Sequence, residues 1–134
     1  MQVNPYLSFK GDCEAALDLY ARCFGVARGT IFRYGGSPMA GDVPAYWSDK
    51  VMHATLTIGD QVLMAADVTP ERYEAPKGFS MSVHVDTAAD AERIFDQLGE
   101  GGRALMPIAK TFWAERFGMV VDRFGVPWLI NAEG

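Results

Sequence analysis

Two histidines, an alternating run of serines and a set of aromatic residues outside any helical stripe are the side chains best suited to chemistry in this chain. His53 lies in the segment Val51–Ile58, where it alternates with Thr55 and Thr57. Met52, Ala54, Leu56 and Ile58 form the opposite, apolar set, the pattern of a strand with one buried face. If the apolar set packs under a helix, His53 points the other way, into a cleft. An imidazole there titrates near neutrality and can act as general acid or base, so His53 is the candidate catalytic residue.

The same alternation over Ser80–Asp86 sets Ser80, Ser82 and His84 against Met81, Val83 and Val85. Those three polar residues and Asn131, near the end of the last strand, are candidate ligand-binding residues. Either histidine can also simply hydrogen-bond within a polar sheet face. A metal site needs a third ligand beside two histidines, and no carboxylate stands at a suitable position. Tyr6, Tyr46, Trp47, Phe112, Trp113 and Trp128 fall in strands or loops. Packing is the expected role of Tyr6 and Trp128. Phe112 and Trp113, in a short loop, suit either a flat apolar ligand or a subunit contact.

The elements that position these residues occur twice. Val3–Phe9 reads as a strand, Asp12 as a helix N-cap, and Ala16, Leu19, Tyr20, Cys23 and Phe24 as one helical face closed by Gly25. Ser80–Asp86 is again followed by a cap, Thr87 with Asp90, and by a face of Ala91, Ile94, Phe95 and Leu98 closed by Gly99. Ala16 and Ala91, Leu19 and Ile94, Tyr20 and Phe95, and Cys23 and Leu98 are each 75 positions apart. Three extended segments follow each helix: Thr30–Tyr34, Val51–Ile58 and Gln61–Ala66, then Arg103–Pro107, Phe117–Asp122 and Val126–Asn131. The final hairpins align at an offset of 66, Leu63 with Leu129, which leaves the extra residues of the first half in the loop Gly35–Lys50. The expected fold is α+β, two βαβββ repeats (residues 1–75 and 76–134) in one domain, with half-sheets that enclose a concave cleft.

Composition narrows the function further. Twelve basic against seventeen acidic residues give a net charge of −5, which argues against a nucleic-acid or anionic-membrane partner. No apolar run reaches the roughly 18–20 residues of a membrane span, and the start Met1-Gln2-Val3-Asn4-Pro5 lacks a signal-peptide pattern. The cytoplasm is the expected location. Cys13 and Cys23 fall on one helix about 15 Å apart at about 1.5 Å per residue, too far for a disulfide. Dinucleotide, P-loop, nucleophile-elbow and C-x-x-C motifs are absent.

The double repeat, with Gly11-Asp12 opening the first helix and Val120-Val121-Asp122-Arg123-Phe124-Gly125 before the last strand, resembles the vicinal-oxygen-chelate superfamily of glyoxalase I, bleomycin-resistance proteins and extradiol dioxygenases. Asn4-Pro5-Tyr6-Leu7, Lys50-Val51-Met52-His53-Ala54, Lys110-Thr111-Phe112-Trp113 and Arg116-Phe117-Gly118-Met119 resemble its PhnB-like branch. The resemblance implies a divalent metal (Zn, Ni, Mn or Fe) held by His and Glu from four strands. Those positions fall near Pro5, Leu63, Ser80 and Leu129, which do not form such a set. No cofactor is therefore expected. The implied function is a homodimer whose metal-free cleft holds a small aromatic or cationic molecule, as in resistance or sequestration. The alternative is a lyase, isomerase or dioxygenase-related enzyme using His53 as acid/base or as the sole remaining metal ligand. Proteins of this branch are also labelled methyltransferases, but the chain lacks the glycine-rich loop of a Rossmann-type methyl-donor site.

Overall fold

Two amphipathic helices are each laid across a four-stranded sheet of their own unit, with one face buried. The computed structural model describes residues 1–133, which fall into two compact units divided between Glu74 and Ala75. The first contains β1 (Tyr6–Phe9), α1 (Cys13–Phe24), β2 (Ile31–Arg33), β3 (Val51–Ile58) and β4 (Gln61–Asp67). The second contains β5 (Met81–Val85), α2 (Ala88–Gly99), β6 (Arg103–Ala109), β7 (Arg116–Val121) and β8 (Pro127–Ala132). Strand order is β1-β4-β3-β2 in one sheet and β5-β8-β7-β6 in the other. The first pair of each sheet is parallel and the rest are antiparallel. The fold is α+β, built of two βαβββ units.

The helical faces read from sequence are the buried ones. Ala16, Leu19, Tyr20 and Cys23 lie in the core of the first unit, and Ala91, Ile94 and Leu98 in that of the second. In the second unit α2 covers the face carrying Gly118 and Val120. A Cβ added at Gly118 would meet the Phe95 ring at 2.9 Å, and one at Gly99 would meet Val120 at 3.3 Å. Directly opposed residues share a sheet face. Trp128, Ile130, Met81 and Val83 therefore lie under the helix as well, paired as they are with Val120, Gly118, Trp128 and Ile130 in turn.

Several expectations need correction. Asp12 does not cap α1. Its side chain makes no cap hydrogen bond, and the cap comes from Asp67, at the end of β4. One Asp67 oxygen accepts the Gly11 and Cys13 N–H groups at 2.9 Å, and the other accepts the Val51 N–H at 3.0 Å. Alternation along β4 puts Leu63, Ala65 and Asp67 on the helix side, so this carboxylate is buried and must be satisfied there. Gly99 is the last residue of α2 rather than its left-handed stop, and the positive φ falls at Gly101. Gly25 and Thr87 do cap as expected, with a left-handed φ of 66° and a 3.1 Å bond from the Asp90 N–H.

The hairpin alignment is also off by one. Leu7 pairs with Ala65 and Val83 with Ile130, all on helix-covered faces, so the final strands correspond at an offset of 65. Leu63 is in the core, whereas the counterpart of Leu129 on the open face is Met64. A one-residue slip exchanges the two faces of a strand, which is how the error arose. The first strand is shorter than expected because Pro5 has no N–H to donate, although its carbonyl accepts from Met64. A register shift where β2 meets β3 makes Met52 the extra residue, and Val51 takes the buried place.

Candidate functional site

The face of the second sheet turned away from α2 brings most of the candidate residues together. The ladders set out three rows across it: Arg103, Val121 and Pro127; then Met106, Met119, Leu129 and Ser82; then Ala109, Phe117, Asn131 and His84. At one end lies a cavity of about 510 Å³, lined chiefly by Lys77, Phe79, Ser80, Leu105, Val121 and Leu129, with Arg103 at its margin. That volume is within the roughly 300–1,000 Å³ of small-molecule sites. The lining contains no acidic residue. At the other end Asn131 Nδ2 lies 3.4 Å from His84 Nδ1, a long contact. The Asn131 side chain is buried and its Oδ1 has no hydrogen-bond partner in the structure.

Phe112 and Trp113 continue this second end. Trp113 packs edge-on against Phe117 at 5.3 Å between ring centres, and Phe112 against Trp113 at 4.7 Å. Phe117 stands directly opposite Asn131 in the ladder. Phe112 is 97% exposed, which is unusual for an aromatic ring with no ligand or partner over it.

His53 lies apart from these residues in sequence and belongs to the first unit. There it pairs across the ladder with Phe32 and shares a 3.0 Å hydrogen bond, through Nδ1, with the Tyr6 hydroxyl. Tyr6 is half exposed rather than core-packed, and it continues a row with Met64 and Thr55. Partial burial pushes the Tyr6 phenol above its ordinary value, with smaller contributions from Tyr34 and Cys13, so it is protonated at neutral pH. Trp128, by contrast, is core, its indole N–H donating to buried Asp122 at 2.9 Å.

The residues do not fit the metal that the superfamily implies. With the register corrected, the fourth-strand position moves from Leu63 to Met64, a thioether with little affinity for the hard, oxygen-polarising ion required. Pro5, Ser80 and Leu129 stand at the other three positions. His84, Asp86 and Glu133 line a second cavity, but among the described residues no three His, Cys, Asp or Glu side chains gather so as to hold an ion.

Sequence reasoning missed Lys77, Arg103, Phe117 and the Tyr6 partner of His53. Arg103 and Lys77 were hidden by counting charge over the whole chain. Phe117 was legible in principle, because it alternates with Met119 and Val121 on the face opposite Gly118 and Val120.

Comparison with known proteins agrees with this architecture. A family model described as 3-demethylubiquinone-9 3-methyltransferase matches residues 1–131. The chain is 46% identical to protein PA1353 of Pseudomonas aeruginosa, covering 99% of this chain and 98% of that one, with a TM-score of 0.89. It is 32% identical to protein YjdN of Escherichia coli over 98% of this chain and 95% of the relative. A Bacillus cereus structure titled putative 3-demethylubiquinone-9 3-methyltransferase, PhnB protein, is 25% identical, with a TM-score of 0.83 and coverage of 98% and 99%. A glyoxylase/bleomycin resistance protein/dioxygenase domain from Frankia shares the fold, with a TM-score of 0.67 at 11% identity and coverage of 100% and 98%. The two βαβββ units thus define a vicinal-oxygen-chelate protein. The chain belongs to the family that the matching model describes, the PhnB-like branch of that superfamily.

Proposed function

We propose that this protein binds a small molecule with an apolar or aromatic body on the open face of its second sheet, without a metal held by its own side chains. The observation that carries the reading is the cavity of about 510 Å³, with Phe79, Leu105, Val121 and Leu129 on its walls and Ser80 to orient a polar group. Ser82, His84 and Asn131 extend the same face, and the unpartnered Asn131 oxygen offers an acceptor to a ligand donor. A homodimer in the cytoplasm is part of the proposal. Exposed Phe112 and Trp113 support the former as a subunit contact.

Methyl transfer is not the reading preferred. The glycine-rich strand-to-helix turn of a Rossmann-type methyl-donor site has no counterpart among the described residues. The amides of Gly11 and Cys13 are spent on Asp67, and the second strand-to-helix turn has no glycine and gives its Asp90 N–H to Thr87.

The test is calorimetric titration with 2-naphthoate and 2-naphthylmethanol, which share one ring system. Saturable binding of either, weakened about tenfold or more by Leu129→Gln, supports the proposal; the magnitude follows from about 1.4 kcal/mol per decade. No saturable binding of either or of the matching 2-naphthylmethylammonium, or binding indifferent to Leu129→Gln, overturns it.

A second reading, an enzyme with His53 as acid/base, is favoured by the Tyr6–His53 hydrogen bond. A protonated phenol bonded to an imidazole fixes the ring and can exchange a proton with it. A turnover found on a carbonyl or hydroxylated substrate and abolished by His53→Ala, with ligand affinity retained, would establish it.

A further inference from the structure

The charge at the rim of the cavity is opposite to the charge of the chain. We infer that the ligand seated there is an organic anion, an apolar body carrying a carboxylate or comparable acidic head, gripped by Lys77 and Arg103. The inference rests on the small-molecule reading above and specifies the class of molecule.

Lys77 and Arg103 both border the cavity and both are exposed. Elsewhere five cations are held in ion pairs. Arg28 and Arg33 pair with Glu14, Arg93 with Asp90, Lys110 with Glu115, and Arg116 with Glu92. Among the described residues no carboxylate lies within ion-pairing distance of Lys77 or Arg103. Arg103 also borders a second pocket that includes Asp96 and Glu100, but neither pairs with it. In a chain with an excess of acids, two cations without an ion-pair partner among the described residues, at one cavity with no acid in its lining, form a locally positive site.

The net charge of −5 suggests a cationic ligand, but distance decides against it. Charges beyond about 8–10 Å are screened at physiological ionic strength, whereas those at the rim act directly. A cationic ligand would meet two like charges there. A neutral ligand that covered them would strip water from both without returning a counter-charge. An anion returns it, through charge-assisted hydrogen bonds that a guanidinium can make in bidentate form. The Ser80 hydroxyl can donate to the same head, while Leu105, Val121 and Leu129 take the body.

The experiment compares three ligands of one shape but different charge: 2-naphthoate, 2-naphthylmethanol and 2-naphthylmethylammonium, titrated calorimetrically into the full chain. Charge-assisted bonds of about 1.5–3 kcal/mol correspond to roughly tenfold to a hundredfold tighter binding of the carboxylate than of the alcohol. In the double variant Lys77→Gln/Arg103→Gln that preference should fall to about threefold or less, with near-UV circular dichroism unchanged. Because both side chains are exposed, the variant should fold. Raising salt should weaken the carboxylate and leave the alcohol unaffected. If the alcohol or the ammonium binds as tightly as the carboxylate, or if the preference survives in the double variant, the anion assignment is overturned and the small-molecule reading stands. If none of the three binds, both fall.

Discussion

Removing the Asp67 carboxylate should cost the first unit a large part of its stability. Asp67 is 1% exposed and accepts three backbone N–H groups, from Gly11, Cys13 and Val51. It thereby ties the entrance of α1 and the start of β3 to the end of β4. Asp67→Ala strands all three donors in the interior, at about 1–3 kcal/mol each. Water entering the vacated space recovers part of this, which leaves a loss of roughly 3–5 kcal/mol. Domains of this size are stable by only about 5–15 kcal/mol. Asp67→Asn keeps one acceptor but turns an NH₂ toward a backbone N–H, so roughly 2–4 kcal/mol should be lost. Urea unfolding followed by far-UV circular dichroism gives the difference from the shift in midpoint at constant slope. Asp96→Ala, an exposed site on α2, is the control and should stay within about 0.5 kcal/mol. A loss below about 1 kcal/mol in Asp67→Ala would mean that these amides find other partners, and the account of how α1 is seated would be wrong.

Three more outcomes follow from particular contacts. Gly118→Ala should destabilise by about 1–3 kcal/mol, because the new methyl meets the Phe95 ring at 2.9 Å and the Ile108 backbone at 3.0 Å; an unchanged melting temperature would contradict the packing of α2. Burial, with smaller contributions from Asp67 and Asp12, pushes the Cys13 thiol well above the ordinary thiol range. The unfolded thiol ionises near pH 8.5, so above about that pH the native state holds the extra proton and stability falls as pH rises. Urea midpoints measured across pH 7–10 (about that window) should show a slope that Cys13→Ala makes shallower. Phe112→Ser with Trp113→Ser should leave folding nearly unchanged while weakening self-association in sedimentation experiments; loss of ligand affinity with self-association intact would assign the pair to the ligand instead.

The twofold βαβββ order was legible because each helix carries a clean apolar stripe and each strand ends at a turn signal. Faces were harder. The alternation of Ser80, Ser82 and His84 was enough to set them opposite Val83, and the structure places Ser82 and His84 on the open side. In the final hairpin, however, Leu63 and Leu129 are chemically identical and lie on opposite faces, and only strand pairing distinguishes them. Hydrophobicity could not detect the slip. Asp67 could have been found, since a carboxylate in step with Leu63 and Ala65 falls on a buried face. That signal was masked by Asp12, which has the right type and place for a cap but not the geometry. The cavity cations escaped because Lys77 lies in a connection and Arg103 at the first residue of a strand, positions whose convergence depends on tertiary structure.

Corrected register also shows how the two units have diverged. Thr55 faces Met64 across its ladder as Met119 faces Leu129, and the neighbouring strands supply Tyr6 and Ser82 at the same level. Two residues along, His53 corresponds to Phe117. The first open face thus carries a threonine hydroxyl, a thioether, a phenol and an imidazole where the second carries two apolar side chains, a serine and an aromatic ring. Apolar contact in the second unit favours affinity, while the Tyr6–His53 pair in the first favours proton exchange or hydrogen bonding. Substitution at Leu129 should therefore act on ligand affinity, and substitution at His53 on whatever chemistry accompanies binding. If His53→Ala and Leu129→Gln instead impair one and the same property to the same degree, the two faces have not divided their roles, and the asymmetry of their side chains has no functional meaning.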